Sequence, residues 1–487
     1  MTERYDVIVV GAGPGGTTCS ALLAKWGLKV LLIDKNAQVG GKAMTLSKNG
    51  FKYELWPILA CPSTDTVFEA VLEELGMPDR VQFHRPHPLA RVSYGAPTGE
   101  VRTLELPGAG KPLDPEDLFK FLGVDNEEMP EVMRLFTDLL SMPPHEQDLL
   151  DDVDVLEFLN RYSIPRSLYS FLATFQSEGT QEVPNDVSCA SEFVRVFQSN
   201  NTKGGGLYPD GGFGNLYKTF ADALEENDGD LVLNARVNRI VVEHGRVKGI
   251  SSDVGDFRAP IVVSNAGIQP TVLKLVGTEH FDRSYVNRIR DLVPSLGFAG
   301  VRYFLTKPVL DCQSYMFFSD NTISTTHHYL EAETGKMPEE TYLYVSTNSI
   351  YPGMAPEGKQ LVYTGLSCPA DPKTDIRPWL EIVEEGVTRL WPDIVKYAEK
   401  KETYGPAEIS ALSRDSVVPG TGGECVGMGQ IVGQCGRKQI PANLPVGGLF
   451  CTGFDAGSAG FGNHKAVESG LNVAKMVRKY FATHRVF

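Results

Sequence analysis

The stretch that decides the fold is YDVIVVGAGPGGTTCSALLAKWGLKVLLID, residues 5–34. Its first six residues, YDVIVV, predict a buried strand, and KVLLI near its end predicts a second one. Between them lies a glycine-rich turn, followed by a helix-compatible run that reaches about Trp26 and ends at Gly27. A strand, a turn, a helix and a strand within about 30 residues are typical of the opening of a parallel α/β sheet.

The turn carries the residues that a backbone needs when it wraps around a pyrophosphate. Gly11, Gly13, Gly15 and Gly16, with Pro14 among them, would allow a tight turn and close approach of the backbone to phosphates. They would also let the helix pack closely on the strand. The N-terminus of that helix would add unpaired N–H groups and a partial positive charge. These five residues are therefore candidates for cofactor binding.

Asp34 ends the second predicted strand, roughly 20 residues beyond the start of the turn. A carboxylate at this place can accept hydrogen bonds from ribose hydroxyls. A GxGxxG pattern alone is weak evidence, but here the strand before it, the helix after it and the acidic residue all fit. The sequence therefore predicts a Rossmann-type dinucleotide-binding fold.

The residues after Asp34 narrow the choice of dinucleotide. Lys35 is followed by the turn Gly40-Gly41-Lys42, and this segment resembles the extended dinucleotide motif of the amine oxidase and phytoene desaturase clan. In that clan, a Gly-Gly-Arg or Gly-Gly-Lys turn runs under the FAD pyrophosphate. The resemblance implies FAD as a non-covalently bound cofactor, with Lys35, Gly40, Gly41 and Lys42 among its contacts.

Motifs similar to those of the same family recur through the middle of the chain. They are the segments GFKYELWP (50–57), YPDGGFG (208–214), SNA (264–266) and APEGK (355–359). In the first of them, Glu54 and Trp56 replace the family's Asp and Gly, which makes Trp56 a candidate wall of the catalytic pocket. The resemblance also implies that the backbone of Val237 contacts the adenine region of FAD and that Asn265 contacts the cofactor.

The segment GLFCTGFD (448–455) is similar to the family's strand that ends in Gly-Asp and meets the flavin ribityl chain. The resemblance implies cofactor contacts at Gly453 and Asp455, although the acid falls one residue later than in the family. Gly462 and Asn463 then open the closing helix, whose N-terminus would point at the flavin pyrimidine ring.

His464 and Lys465 follow in the first turn of that helix and are candidate catalytic groups. His464 could donate a hydrogen bond to the flavin or to a substrate carbonyl. A positive group at this place would stabilise negative charge on the reduced flavin. The alternative is a helix N-cap at Asn463 followed by ordinary first-turn residues.

The order of the elements predicts an α/β protein with two domains. A discontinuous Rossmann-type FAD-binding domain would take residues 1–84, 205–284 and 436–487. An inserted mixed α+β substrate domain would take residues 85–204 and 285–435. The substrate would bind between the two domains, as small molecules commonly do.

No second nucleotide fingerprint is present in the sequence. The run Gly204–Gly206 lacks the strand before it and the helix after it that such a motif requires. A separate NAD(P)H domain is therefore not expected. The electrons would come from, or pass to, a quinone, oxygen, a protein carrier or a second substrate.

Composition excludes several other functions. The net charge of −15 and the pI near 5.2 argue against nucleic acid, because phosphate binding needs clustered Lys and Arg. No apolar run reaches the ~18 residues of a membrane span, and the N-terminus lacks the pattern of a secretory signal. These features predict a cytoplasmic protein and leave peripheral membrane contact open. The eight cysteines form no Cys-x-x-Cys pair, so no metal site is expected.

The resemblance implies an FAD-dependent oxidoreductase that acts on carbon–carbon bonds of a largely apolar small molecule, such as a polyene or an alicyclic compound. A desaturase-like dehydrogenation by hydride transfer to flavin is the first choice. A saturase or ene-reductase and a redox-neutral double-bond isomerase remain alternatives, and amine oxidation is a weaker one. A different class is a non-catalytic lipid-binding chaperone of the GDP-dissociation-inhibitor type, against which the intact glycine-rich turn argues.

Overall fold

The structure of the protein, a computed structural model, describes residues 4–56, 58, 65–108, 111 and 113–484. Pro57, the last residue of the 50–57 motif, and Cys61 lie outside the described residues. Within the described ranges, no helix combines the length and the apolar character that crossing a bilayer requires.

Strands and helices alternate along most of the chain. The strands are β1 Val7–Val10, β2 Val30–Ile33, β3 Thr45–Lys48, β4 Phe51–Glu54, β5 Phe83–His84, β6 Ala90–Gly95, β7 Val101–Leu106, β8 Tyr208–Pro209, β9 Asp230–Val232, β10 Val237–Glu243, β11 Arg246–Ser252, β12 Gly255–Arg258, β13 Ile261–Ser264, β14 Gly297–Leu305, β15 Ser314–Ser319, β16 Leu343–Ser346, β17 Gln360–Cys368, β18 Ala398–Tyr404 and β19 Leu449–Cys451. The helices are α1 Pro14–Lys25, α2 Val67–Leu75, α3 Pro115–Leu122, α4 Met129–Ser141, α5 Pro144–Gln147, α6 Val155–Leu159, α7 Arg166–Gln176, α8 Ala190–Lys203, α9 Phe213–Glu226, α10 Ile268–Pro270, α11 Arg283–Arg290, α12 Thr326–Glu333, α13 Arg377–Leu390, α14 Pro392–Lys396, α15 Pro406–Leu412 and α16 Gly462–His484.

A five-stranded parallel sheet has the strand order β19–β13–β1–β2–β9. β1 lies at its centre, and all four residues of this strand are buried. Continuous apolar strands of this kind are typical of parallel sheets that helices cover on both faces. Helix α1 packs on β1 and β2 and contacts α9 and α16. The strand, turn, helix and strand predicted for residues 5–34 are confirmed.

A second sheet has seven strands in the order β18–β14–β17–β16–β15–β6–β7. Two separate parts of the chain meet in it, because β6 pairs in parallel with β15. The other neighbouring strands pair antiparallel. Helix α13 packs on β14 and β17, and an apolar core lies beneath it. Helices α3, α4, α6, α7 and α8 enclose a core of their own, which includes Val92 of β6 and Phe318 of β15.

The parallel sheet has its own large apolar core, drawn from the start, the middle and the end of the chain. A parallel α/β layer beside a mixed sheet and a group of helices confirms the α/β class. The assignment of residues 1–84, 205–284 and 436–487 to one domain, and of 85–204 and 285–435 to the other, stays a prediction.

Candidate functional site

The carboxyl ends of the parallel strands converge on one cavity of about 740 Å³. Gly11 follows β1, Asp34 follows β2, Asn265 follows β13, and Gly453 comes two residues after β19. All four residues line the cavity. In parallel α/β sheets, ligands bind outside the carboxyl ends of the strands, where the strand order reverses. The neighbours β2 and β13 on either side of β1 place such a reversal at the Gly11 turn.

In the turn from Gly11 to Gly16, a side chain at Gly13, Gly15 or Gly16 would clash with neighbouring atoms. A Cβ on Gly13 would lie 2.8 Å from Asn265 Nδ2, and one on Gly15 would lie 2.7 Å from the backbone nitrogen of Gly453. A Cβ on Gly16 would overlap the carbonyl oxygen of Gly11, whose own φ is +98°. Pro14 begins α1 at a position where the missing N–H is not needed. The turn therefore leaves bare backbone at the cavity wall, and we call it the glycine cradle.

Asp34 lies beside the glycine cradle. Its Oδ2 accepts a hydrogen bond from the Ala12 N–H at 2.6 Å, and its Oδ1 accepts one from the Asn36 N–H at 2.7 Å. Burial raises the pKa of Asp34, and these two N–H groups partly oppose that effect. Each carboxylate oxygen has two acceptor positions, so acceptor capacity remains for a ligand in the cavity.

The turn Gly40-Gly41-Lys42 closes the cradle from the other side. The Gly40 N–H donates to the carbonyl of Ala12 at 2.8 Å, and a Cβ on Gly41 would lie 3.0 Å from the Cα of Gly13. Lys42 lines the cavity, and its Nζ donates to the carbonyls of Glu424 and Val426. Its ammonium group therefore fastens the 424–426 segment to this turn.

Lys35 also lines the cavity, but its Nζ lies 3.2 Å from Asp415 Oδ1. Arg236 and Lys274 contact the same carboxylate. Burial alone would raise the pKa of Asp415, but these three cations together hold it well below its usual value. Val237, which follows Arg236, lies at the cavity wall as well.

Asp455 lies away from the cavity surface, and the structure gives its carboxylate other partners. Its Oδ2 accepts from the Ile268 N–H at 2.8 Å and from Arg414 Nη2 at 2.7 Å, and its Oδ1 accepts from the Met428 N–H at 2.9 Å. The cavity-lining residues include Thr452, Gly453 and Phe454 but not Asp455. The acid implied at the ribityl chain is therefore held by buried protein groups.

Arg414 lies at the centre of a buried ion-pair cluster that the sequence did not reveal. Besides Asp455, its Nε contacts Glu424 Oε1 at 3.1 Å. Burial opposes ionisation of Asp455, but the guanidinium holds the pKa of this carboxyl below its usual value. Arg414 also lines the cavity, and its buried Nη1 has no hydrogen-bond partner among the described residues.

Helix α16 begins at Gly462, and Gly462 and Asn463 line the cavity. His464 does not line it; instead its Nε2 accepts from the Val67 N–H at 3.4 Å, and its ring meets Phe68 edge-on. Lys465 is 4% exposed, and its Nζ lies 4.2 Å from the ring centre of Phe454. The structure therefore turns His464 towards α2 and places Lys465 against a wall residue of the cavity.

Trp56 lines the cavity and is almost fully buried. Its ring meets Phe298 and Tyr404 edge to face, with centroids 6.2 Å and 5.9 Å away. Its indole Nε1 has no hydrogen-bond partner among the described residues. A role for Trp56 in the reaction stays a prediction.

Beyond the cradle, the same cavity continues into a region lined mainly by apolar side chains, which we call the apolar chamber. Most come from helices α3, α4, α7 and α8 and from the second sheet. They are Leu106, Leu113, Leu118, Phe136, Phe171, Leu172, Phe175, Phe197, Phe298, Met316, Tyr342 and Tyr344.

Two buried carboxyl groups, Glu178 and Glu182, line the cavity beside the apolar chamber. Glu178 Oε1 accepts a hydrogen bond from the Tyr329 hydroxyl at 2.7 Å. Burial raises the pKa of each carboxyl to about 7, against the partial opposition of its hydrogen bonds. No motif or spacing in the sequence marks these two residues. Their surroundings are formed by helices and by strands that are distant along the chain.

This chain matches one family model and is similar in sequence to several known proteins. The family model described as flavin containing amine oxidoreductase matches residues 15–478. The chain is 26% identical over 331 residues to an inactive all-trans-retinol 13,14-reductase of Danio rerio, covering 61% of this chain and 53% of that protein. It is 24% identical over 310 residues to a 4,4'-diapophytoene desaturase (4,4'-diapolycopene-forming) of Methylomonas sp, covering 57% of this chain and 56% of that protein.

A longer match is to prolycopene isomerase 2, chloroplastic, of an Oncidium hybrid cultivar, with 24% identity over 460 residues, 85% of this chain and 70% of that protein. The matches to the reductase and the desaturase thus span about half the length of those proteins. Among solved structures, an oxidoreductase from Methanosarcina mazei is similar, with a TM-score of 0.74, 16% identity and coverage of 96% of this chain and 99% of that one. Putrescine oxidase bound to putrescine has a TM-score of 0.69, 16% identity and coverage of 98% and 100%. At these identities the structural likeness shows the fold.

Proposed function

Because this chain belongs to the flavin containing amine oxidoreductases and uses FAD, we propose that it transfers a hydride across a carbon–carbon bond of an apolar, polyene-like molecule. The first choice of direction is dehydrogenation, as in a desaturase. Reduction by a saturase and redox-neutral isomerisation are the alternatives. The names of the relatives include a desaturase, a retinol reductase and prolycopene isomerases, which supports this class of substrate.

The main support for the proposal is that the cavity is continuous from the glycine cradle to the apolar chamber. The glycine cradle and the apolar chamber belong to one space of about 740 Å³, so a flavin in the cradle and an apolar molecule in the chamber would share it. A long hydrocarbon gains free energy from leaving water for such a chamber. Flavin supplies the two-electron chemistry. The protein residues bind and orient the substrate and exclude water from the cavity.

The residues on the cavity wall fit FAD. We expect the glycine cradle and the N-terminus of α1 to face the pyrophosphate, because Gly11, Gly13 and Pro14 line the cavity where α1 begins. Asp34 would accept from the ribose hydroxyls. Val237, Gly40–Lys42 and Asn265 would complete the nucleotide end. Lys35 lines the same end of the cavity.

At the flavin end, Gly453, Gly462 and Asn463 line the cavity and would meet the flavin. Asp455, His464 and Lys465 are not part of this proposed set, because their contacts lie behind the cavity wall.

Asp34→Ala should weaken FAD binding several-fold or more while the fold is retained. The ribose would lose a charge-assisted acceptor, which is worth ~1.5–3 kcal/mol. Titration of the apoprotein with FAD, followed by flavin fluorescence, measures this. Asp6→Ala is the matched control, because Asp6 Oδ2 also accepts a backbone N–H, from Lys29 at 2.8 Å, but lies outside the cavity. Equal FAD affinity in the Asp34 variant and wild type would remove Asp34 from the site.

Product analysis after anaerobic mixing tests the function. The yellow protein, and a sample of it reduced beforehand with dithionite, would each be mixed with all-trans-retinol, 4,4'-diapophytoene and prolycopene while flavin absorbance is followed. Bleaching by diapophytoene with formation of new double bonds supports dehydrogenation. Oxidation of reduced flavin by retinol supports saturation, and a new isomer of prolycopene without net bleaching supports isomerisation. No product from any of the three would contradict the proposal, and a purified protein without flavin would favour a lipid-binding chaperone.

Phe136→Arg should weaken substrate binding and leave cofactor binding unchanged. Phe136 lines the apolar chamber, and a guanidinium there would have to be desolvated when an apolar molecule binds. We expect at least about tenfold weaker polyene binding, equivalent to ~1.4 kcal/mol, with unchanged FAD content. Met133→Arg is the control, because Met133 lies on the same helix but is 51% exposed. Wild-type polyene affinity in the Phe136 variant would place the substrate elsewhere.

A further inference from the structure

Glu182 lies where the glycine cradle meets the apolar chamber. It lines the cavity together with Lys42 and Cys425 on the cradle side and Tyr342 on the chamber side. Lys42 binds the carbonyls of Glu424 and Val426, so Cys425 lies between two carbonyls anchored to the cradle turn. A carboxyl at this junction is near both halves of the cavity.

The backbone of Glu182 is held in an unusual conformation. Its φ is +55°, in the left-handed region that residues other than glycine seldom adopt. It follows directly on a π-helical turn, Ser177–Gln181, and such turns are frequent at functional sites. The Leu296 N–H donates to the Glu182 carbonyl at 2.7 Å, and the Leu296 carbonyl accepts from the Cys425 N–H at 2.9 Å. Strained backbone persists where the surroundings impose it, so this position is fixed by its neighbours.

The carboxyl group of Glu182 is buried and incompletely hydrogen-bonded. Its Oε2 is closed off from solvent and has no hydrogen-bond partner among the described residues. The Cys425 thiol hydrogen-bonds to the carboxyl and Lys42 acts on it electrostatically, and both partly offset the burial that raises its pKa to about 7. Glu178, Tyr342 and Tyr344 are further titratable groups on this part of the wall. Near neutral pH, both the acid and the carboxylate forms are therefore present.

We propose that Glu182 is the catalytic residue that exchanges a proton with the substrate carbon next to the hydride-bearing carbon. This inference rests on the proposed function. In dehydrogenation, one C–H bond breaks with its electron pair leaving as hydride to the oxidised flavin. The adjacent C–H bond gives its proton to the Glu182 carboxylate, and its electron pair becomes the second bond of the new C=C. Glu182 then releases the proton to water; saturation is the same step in reverse.

Glu182→Gln removes the exchangeable proton at nearly constant volume. We expect turnover of the polyene to fall between about 100- and 10,000-fold, the range of general acid–base catalysis, with FAD content unchanged. The wild-type rate should rise with pH through about 7 if Glu182 acts as a base in dehydrogenation, and fall if it acts as an acid in saturation. Glu182→Asp should restore part of the rate and keep the pH dependence, whereas Glu182→Gln should lose that dependence.

Infrared titration of the flavin-loaded protein from about pH 5 to about pH 9 gives a readout without turnover. Wild type should show two protonated carboxyls that ionise near pH 7, from Glu178 and Glu182, and Glu182→Gln should lose one of them. Glu178→Gln is the matched control: it should lose the other band and keep the pH dependence of the rate. A Glu182→Gln variant that retains both bands, or that turns polyene over within about twofold of wild type, overturns this inference alone. A wild type that converts no polyene overturns the proposed function and the inference with it.

Discussion

Gly16→Ala should yield protein with little bound FAD. A Cβ at this position would overlap the carbonyl oxygen of Gly11, and Gly16 is fully enclosed in the first turn of α1. The turn must therefore move away from α1, which distorts the backbone that would face the pyrophosphate. Overpacking costs typically ~1–3 kcal/mol, and a backbone overlap should lie at the upper end, or roughly 150-fold in FAD affinity. Released flavin per chain and titration of the apoprotein measure this effect.

Gly27→Ala is the matched control for that experiment. Gly27 has a φ of +87°, but a Cβ there would meet nothing within 4 Å, and the residue follows the far end of α1. Its left-handed backbone should cost about 1–2 kcal/mol of folding free energy without changing FAD affinity. If Gly16→Ala binds FAD as tightly as the Gly27 variant, the close packing of the cradle is not what shapes the pyrophosphate site.

Arg414→Met should lower the free energy of unfolding by ~3–5 kcal/mol. The side chains of Arg414, Glu424 and Asp455 are 9%, 0% and 1% exposed, so removing the cation leaves two buried carboxylates with Lys42 as the remaining nearby cation. Uncompensated buried charge costs far more than an exposed one. Urea unfolding at saturating FAD measures the loss. Arg80→Met is the control, because Arg80 pairs with Glu226 and their side chains are 49% and 46% exposed, so its loss should cost less than ~1 kcal/mol.

The same variant should show a distinct pH dependence. In wild type, Arg414 depresses the pKa of Asp455 in the folded protein. The stability from this pair is therefore fully present above the pKa that Asp455 has in the unfolded chain. It is lost as the pH falls through the lower pKa of Asp455 in the folded protein. Without Arg414, burial raises the pKa values of Asp455 and Glu424, and protonation at lower pH neutralises them. The deficit relative to wild type should therefore shrink between about pH 7 and about pH 5. A deficit that is constant over this range would show that lost packing, not buried charge, causes it.

The nucleotide fold and its glycine-rich turn were predictable because backbone geometry over a few residues determines them. The glycine cradle has no space for a side chain at Gly13 or Gly16. A strand, a turn and a helix of fixed lengths place Asp34 next to the cradle, where it accepts the Ala12 N–H. Such requirements act over a few residues, and they leave a readable spacing in the sequence. Residues 5–42, together with the similar family motifs later in the chain, predicted the FAD cofactor, the parallel sheet and the family.

Side-chain roles near the flavin were less predictable. His464 and Lys465 follow Asn463 in sequence, but a helix turns successive side chains to different faces. Asn463 therefore lines the cavity, whereas His464 meets α2 and Lys465 meets Phe454. Asp455 falls one residue later than the acid of the family's motif, and Arg414, some forty residues earlier, binds its carboxylate.

By itself, the sequence determined the nucleotide fold, the bound dinucleotide and the places where backbone must be bare, because short-range sterics and hydrogen bonding dictate them. Only the tertiary structure decided which side chains line the cavity. Glu182 meets Cys425 through Leu296, and Trp56 meets Phe298 and Tyr404, across separations of more than a hundred residues. Burial and charge at such a point are the sum of many distant contacts, and no local pattern records that sum.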